Sequence, residues 1–283
     1  QRQMCIRDSV SIEQALIITK TYKQHENEPI ILKRAYALAN ALRELEIGIE
    51  NEELIVGNRT KGVRYGVVFP ESGISWVDRE FETISTRKQD KFLVRDEDIK
   101  IFREQIVPYW KGKSLEDVIK QNFGKEISAI NKVVKINQTD HAQGHICPNV
   151  EKWLQKGVSG LLADAQNHYE NADEDKKNFY QAIIIVMKAV QNFMLRYHDL
   201  LIATAKDDEK NRASLIKVAD ICKNISQRPP QTFHEAVQAT WFLFVILHME
   251  SNASSFSPGR LDKILYPYYI CLLYTSPSPR DRG

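Results

Sequence analysis

The sequence is short of most features that mark a redox, membrane or nucleotide-binding module. Its four cysteines form no CxxC pair, which argues against a disulfide framework or a cysteine-ligated iron–sulfur cluster. Its longest apolar runs, residues 183–187 and 241–247, fall far below the roughly 18 residues of a membrane span. No GxSxG, HExxH, GxGxxG or GxxxxGK[ST] stretch occurs, so the usual nucleophile-elbow, zinc-protease and phosphate-loop readings lack a footing. Charge of one sign is missing too: 39 Lys and Arg stand against 37 Asp and Glu. That balance, with no basic face interleaved with aromatics, gives no reason to expect nucleic acid or an anionic membrane as partner. No Ser/Gly linker, repeat or low-complexity tract divides the chain. These features together predict a soluble, cytoplasmic protein with one domain, or part of one.

The two ends do not read like the rest. The peptide at residues 271–276, "CLLYTS", can be written TGTCTCTTATACACATCT. Its reverse complement, read in another frame, encodes Met-Cys-Ile-Arg-Asp, which is residues 4–8. The shared DNA word resembles a transposase adapter used in building sequencing libraries. Residues 1–9 and 270–283 are therefore expected to be adapter read-through, to be set aside before fold reasoning. Residues 10–269 are expected to be a piece of a longer domain. Trimming removes two cysteines, Cys5 and Cys271, and the net charge with them.

Within residues 10–269, helical periodicity dominates. "SIEQALIITKTYKQHENEP" opens with Ser11 and Gln14 at capping-box spacing and ends before Pro29. A second helix from Ile30 to about Leu45 puts Leu32, Ala35, Tyr36, Ala39 and Leu42 on one face. "EELIVGN" is the best strand candidate, short, branched and closed by Gly57. From Arg59 to Ser85 the pattern is irregular. Two helices follow in "DEDIKIFREQIVPYW" and "SLEDVIKQNF", and another in "PNVEKWLQKGVSGLLADAQNHY" despite Gly157 and Gly160. The longest spans about residues 173–205, with Phe179, Ile183, Val186, Val190, Phe193, Tyr197 and Leu200 in a stripe wide enough for burial on more than one side. "KNRASLIKVADICKNI" and "TFHEAVQATWFLFVILHM" complete the set, the latter with Thr232 and Glu235 at capping-box spacing. The fold class is mainly α with a few short strands.

Two stretches do not fit a plain scaffold. In "DHAQGHICPNVEKW", His145 follows Gly144 in a polar turn, and Pro148-Asn149 opens a helix. Such a His can exchange a proton or bond a substrate hydroxyl, although a surface His bonded to a backbone carbonyl has the same look. His141 lacks the further ligands a metal site would need. In "MESNASSFSPGRLDKILYPYY", an apolar helix runs into Glu250, Ser251, Asn252, Ser254 and Ser255. That wealth of small polar side chains suits a close approach to a ligand or an ordinary helix exit. Cys147, two residues from His145, has no visible orienting group for nucleophilic work. Cys222, on a helix beside Ile221, reads as core.

Those stretches also carry a resemblance. "ESNASSFSPGRLDKILYPYY" resembles the ESNG-S-S-x-GR-DQ-YPYY segment of glycyl radical enzymes, and "GHICPNVEKWLQKGVSGL" is similar to their GH-x-x-x-(D/N)-YEK stretch. "EELIVGNRT", "FPESGISWVDREFETISTRKQDKFLV", "PYWKGKSLEDVI" and "RPPQTFHEAVQATWF" follow the family's order too. The resemblance implies the N-terminal helical part of a ten-stranded α/β barrel, truncated, from a homodimeric enzyme of anaerobic metabolism. It implies a glycyl radical installed by a separate radical-SAM activating enzyme, with the radical glycine and cysteine both downstream of this chain. No cofactor or metal is then expected on the chain itself, and no catalytic residue lies in it. His145 and Ser255 match the positions that bond substrate hydroxyls in diol dehydratases, with Asn252 and Ser254 as pocket neighbours. The implied partner is a small hydroxylated or otherwise substituted metabolite, and the implied reaction is dehydration or another C–X lysis. Departures at Ala253, Ser254 and Val150 leave the substrate open. A pyruvate formate-lyase-type acetyltransferase and a non-catalytic helical interaction module are the alternatives.

Overall fold

The computed structural model describes residues 8–88, 91–134, 146–252 and 255–275. The described chain is mainly helical around one small sheet. β1 (Asp8–Ser11) leads into α1 (Glu13–Gln24) and α2 (Ile30–Glu44), and β2 (Gly66–Val67) follows a long irregular stretch. Next come α3 (Ser75–Glu80), a 3-10 turn at Ile84–Thr86, and β3 (Phe92–Leu93). α4 (Asp96–Ile101) passes through a π segment (Phe102–Ile106) into α5 (Val107–Trp110), and α6 is Leu115–Ile130. The C-terminal half is α7 (Val150–Glu170), α8 (Glu174–Asp207), α9 (Arg212–Gln227), α10 (Phe233–Ser251) and α11 (Leu261–Thr275).

The sheet order is β2-β1-β3, with β1 parallel to both neighbours: Val10 lies opposite Gly66, and Asp8 opposite Phe92. Parallel strands need long crossovers, and α1 with α2 supplies the first. A first core gathers Val10, Ile18, Phe69, Ile74, Phe81, Phe102 and Trp110 between the sheet and the helices around it. A second, larger core forms around α8. Its residues Ala189, Val190, Phe193, Met194, Tyr197 and Leu201 are buried with Leu42 of α2, Trp153 of α7, Cys222 of α9 and Phe242 of α10. Phe193, Tyr197 and Phe242 form a triangle of rings with centroids 5.2, 5.6 and 5.8 Å apart, a favoured aromatic geometry. Arg196 of α8 ends α2 by donating to the carbonyls of Leu42 (2.7 Å) and Leu45 (2.5 Å).

Three local expectations are corrected. "EELIVGN" forms no strand. The buried Gln238 side chain takes the place of a strand neighbour, accepting from Val56 N at 2.8 Å and donating to Val56 O at 2.7 Å, which satisfies the peptide without a sheet. The Ser11/Gln14 capping box does not form, because Ser11 is the last residue of β1 and Ile12 occupies the N-cap; Ser11 Oγ accepts only a long bond from Glu13 N at 3.4 Å. The tail beginning at Cys271, set aside from fold reasoning, instead continues α11 as far as Thr275; Leu272 and Leu273 suit a helix whatever their origin. Conversely, the Thr232/Glu235 capping box is present in full, and α2, α8, α9 and α10 lie within a few residues of their expected bounds. Phe179, expected on the buried stripe of α8, is 52% exposed.

α7 is two helical segments that meet in a kink at Gly157, whose non-helical φ 62°, ψ 175° lies in a region open essentially to glycine alone. A Cβ there would sit 2.9 Å from Pro229 N and 3.0 Å from Pro229 Cα. Gly157→Ala is therefore expected to destabilise the fold by on the order of 2–3 kcal/mol, whereas Gly160→Ala, whose Cβ would approach nothing closer than 3.4 Å, leaves stability level or raised. Paired thermal melts of the two variants measure this.

Candidate functional site

The expected site begins where α10 ends. A helix leaves its last four carbonyls without intrahelical donors, and at α10 these groups are met by side chains from the N-terminal half. Gln14 of α1 donates through Nε2 to Met249 O at 2.8 Å. Arg34 of α2 donates through Nη2 to Glu250 O at 3.0 Å and to the Glu250 carboxylate at 2.6 Å. Asn252 closes the helix in the left-handed region, φ 47° and ψ 37°, with its amide donating to His248 O at 3.0 Å. Asn tolerates that conformation better than other side chains. Its Oδ1 in turn accepts from Arg59 Nη1 at 3.1 Å.

Arg34 also anchors a second carboxylate, Glu71, through Nη1 at 2.8 Å, and the Tyr22 hydroxyl donates to the same Glu71 oxygen. Burial pushes the Glu71 carboxyl up; Arg34 and Tyr22 pull it back only in part, and Glu250 adds to the rise. Burial works against the Arg34 charge, but Glu71 and Glu250 outweigh it and hold the guanidinium protonated. Burial likewise raises the Tyr22 hydroxyl, reinforced by Glu71. Both carboxylates belong to stretches singled out by sequence, "FPESG" and "ESN", yet nothing in either stretch names Arg34 or Tyr22 as their partners.

Past Asn252 the chain meets the other expected stretch. Ile146 and Phe256 form a parallel bridge, and Ser257 N donates to Ile146 O at 2.8 Å. Phe256 is buried against the His248 ring, 4.6 Å between centroids and nearly perpendicular. The segments following His145 and Ser255 are thus brought side by side across more than one hundred residues of sequence. Asn149 caps α7, its side chain accepting from Lys152 N at 2.9 Å, as the Pro-Asn signal predicts. Ser255 is half-buried directly before the bridge, while His145 and Ser254 lie outside the described residues. Cys147 is exposed. Burial pushes the Cys222 thiol up to about 12, so it stays a protonated core group.

Asn252 lines a cavity of about 220 Å³ whose walls include Val68, Phe69, Trp76 and Phe81. Ser72 lines it too, with an Oγ that is buried and unpartnered among the described residues. An apolar hollow with a few polar groups is the usual form of a small-molecule site. Ser255 is not part of this wall. A more open groove of about 350 Å³, lined almost wholly by apolar residues such as Leu38, Trp153, Val186 and Leu243, runs between α2, α8 and α10. Among the described residues no group of three or more His, Cys, Asp or Glu is placed to hold a metal ion, and no helix is long and apolar enough to cross a membrane.

Sequence reading singled out Asn252 and Ser255, gave Gln14 only a capping role, and passed over Arg34, Arg59 and Ser72. The usable signal was a polar residue inside an apolar stripe: Gln14 precedes Ala15 and Leu16, and Arg34 precedes Ala35. Arg34→Met is expected to destabilise the protein by about 2 kcal/mol at pH 7, the cost of a broken buried pair reduced because Arg34 is partly exposed. The loss of Arg34 raises the already elevated Glu71 further. A carboxyl raised in the fold contributes stability below its unfolded value of about 4.3 that is lost as pH rises through the folded value. The deficit of Arg34→Met against wild type therefore grows from pH 4 to pH 7 in denaturant melts. A deficit constant with pH contradicts the charge network.

The family model described as pyruvate formate lyase-like matches residues 2–270. The chain is 33% identical over 276 residues to the probable dehydratase YbiW of Escherichia coli (strain K12), a match that covers 93% of this chain and 34% of that protein. It superposes on the glycerol-bound B12-independent glycerol dehydratase from Clostridium butyricum with a TM-score of 0.87 and 32% identity, over 93% of this chain and 35% of the other. A glycyl radical enzyme from Archaeoglobus fulgidus gives a TM-score of 0.88 and 31% identity over 95% of this chain and 36% of its own. The chain spans about a third of the length of these relatives. With the ordered motifs of the sequence and the matching fold, this chain belongs to the pyruvate formate lyase-like family.

Proposed function

We propose that this chain is the N-terminal part of a glycyl radical dehydratase or other C–X lyase acting on a small hydroxylated or otherwise substituted metabolite. The observation that carries the reading is the Ile146–Phe256 bridge. It sets Ile146, the residue after His145, beside Phe256, the residue after Ser255, which supports the reading that the two stretches serve one ligand. The dehydratases among the relatives support the same reaction class. The radical, installed by a radical-SAM activating enzyme on a glycine beyond residue 283, supplies hydrogen abstraction through a downstream cysteine. The work of this chain is to bind and orient. Ser255 hydrogen-bonds a substrate hydroxyl, and Asn252 and Ser254 border it. His145 donates a hydrogen bond to the oxygen of the departing group and so polarises it, which assists C–O lysis. The whole protein is a cytoplasmic homodimer on this reading, and this chain alone is inactive. Residues 10–269 are its native portion.

The test uses the gene extended past the codon for Tyr269, with the product activated anaerobically and offered vicinal diols. Ser255→Ala is expected to raise KM about ten-fold with little change in kcat, having lost one hydrogen bond to bound substrate. His145→Gln is expected to lower kcat by roughly 10²–10³-fold. Variants that both keep the wild-type kcat/KM overturn the assignment of these residues. A stop codon directly after Tyr269 overturns the reading as an enzyme part.

A further inference from the structure

Arg59 sits in a loop that the fold holds on several sides. Asn58 N donates to the Tyr197 hydroxyl at 3.0 Å, Asn58 Nδ2 donates to Gly62 O at 2.9 Å, and Thr60 Oγ1 donates to the same carbonyl at 2.6 Å. One residue before Asn58, Gly57 O accepts from the Trp241 indole at 2.8 Å. Among the described residues the guanidinium so positioned makes one hydrogen bond, from Nη1 to Asn252 Oδ1 at 3.1 Å. Its Nε and Nη2 are buried and have no hydrogen-bond partner among the described residues. Burial, with no carboxylate to oppose it, draws its pKa down to about 10, so the group is still a cation at neutral pH. An unneutralised charge and two unmet donors in a buried position are costly to keep without a partner.

The two unmet donors are adjacent. Nε and Nη2 form one edge of the guanidinium, the edge that takes both oxygens of a carboxylate as a fork. The chain uses that edge twice elsewhere. Arg95 places Nε and Nη2 on the two oxygens of Asp98, each at 2.8 Å, and Arg260 does the same to Asp262 at 2.9 and 2.6 Å. In Arg59 the same fork is buried without its acid. The negative end of the α10 dipole lies close and favours a cation there. No described carbonyl of that helix end accepts from Arg59 Nε or Nη2; those of His248, Met249 and Glu250 accept from Asn252, Gln14 and Arg34.

We propose that Arg59 is the receptor for a two-oxygen anion, a carboxylate or the equivalent face of a sulfonate, held beside Asn252 at the end of α10. The anion has two sources of the same chemistry: an acidic group on a small molecule bound near Asn252, or an Asp or Glu side chain from the part of the protein that the relatives possess beyond this third. The inference does not depend on the lyase reading, because it concerns what the fork binds and not which bond is broken.

The test titrates the 283-residue chain with acetate and methanesulfonate, using acetamide as the neutral control at constant ionic strength, and follows Tm and the Arg59 Nε–H resonance. Acetate is expected to raise Tm and shift that resonance; acetamide is expected to do neither. Arg59→Gln removes the acetate response, and Arg59→Lys, which keeps the charge but loses the fork, weakens it at least ten-fold. In anion-free buffer Arg59→Gln melts no lower than wild type, since it deletes an unpaired charge; a purely structural arginine would melt lower. An acetate response that is absent, or unchanged in both variants, overturns the proposal. Repeating the titration on the protein extended to the relatives' length separates the sources. A response that persists assigns the fork to a small molecule. A response that is lost, with the Nε–H resonance already at its anion-bound position, assigns it to the protein's own carboxylate. A response that is lost with the resonance unmoved overturns the proposal.

Discussion

The structure depends on how the C-terminal end of α10 is satisfied. α10 is apolar nearly all round and therefore runs through the larger core, so its last carbonyls emerge where water cannot readily reach all of them. Unmet peptide groups in such a place are destabilising. Gln14 and Arg34 meet them from α1 and α2, and Asn252 turns the chain out of the helix. One consequence is that the N-terminal helices are not a separate cap on the fold. They hold the direction in which the segment from Asn252 to Ser257 leaves the core, and that direction decides whether Phe256 can bridge to Ile146.

The same end of α10 gathers charge. Arg34 is shared by Glu71 and Glu250, and Arg59 stands behind Asn252 with its fork unmet. The first arginine is neutralised within the described residues and acts as a structural clasp. The second has no acid among the described residues, and on the proposal above it acts as a receptor. Similar side chains placed at one helix terminus differ because, among the described residues, one lies within reach of two carboxylates and the other of none. Among the described residues the other Nε–Nη2 forks, at Arg95 and Arg260, are local, each reaching a carboxylate two or three residues away.

What could be read from the sequence follows the range of the interaction. α2, α8 and α9 are legible because their apolar residues recur at helical spacing, and the start of α10 because Thr232 and Glu235 are three residues apart. The failed strand at "EELIVGN" has the right composition, but its partner is Gln238, more than 180 positions away. Ser11 has the spacing of a cap and is taken instead by a sheet whose strands are only two to four residues long. Asn252 and Ser255 could be picked out by their company of small polar residues after an apolar helix. The pairing that gives them meaning, Ile146 with Phe256, joins residues 110 apart and has no local signal. Arg34 and Arg59 were passed over for the same reason, since their carboxylate, carbonyl and amide partners lie about 40 to 220 positions off. His145 and Ser254, also singled out by sequence, fall outside the described residues.

The most direct measurement is native-state hydrogen exchange at two amides, Asn252 and Ser257. The first donates back to His248 in the closed end of α10; the second donates to Ile146 across the bridge. If the clasped helix end fixes the path to the bridge, both amides exchange in the slow class of the α10 interior, in a single cooperative unit. Exchange of Ser257 at the rate of an open loop while the amides of α10 stay protected would contradict the account, since the bridge would then form independently of the helix end that is held to position it.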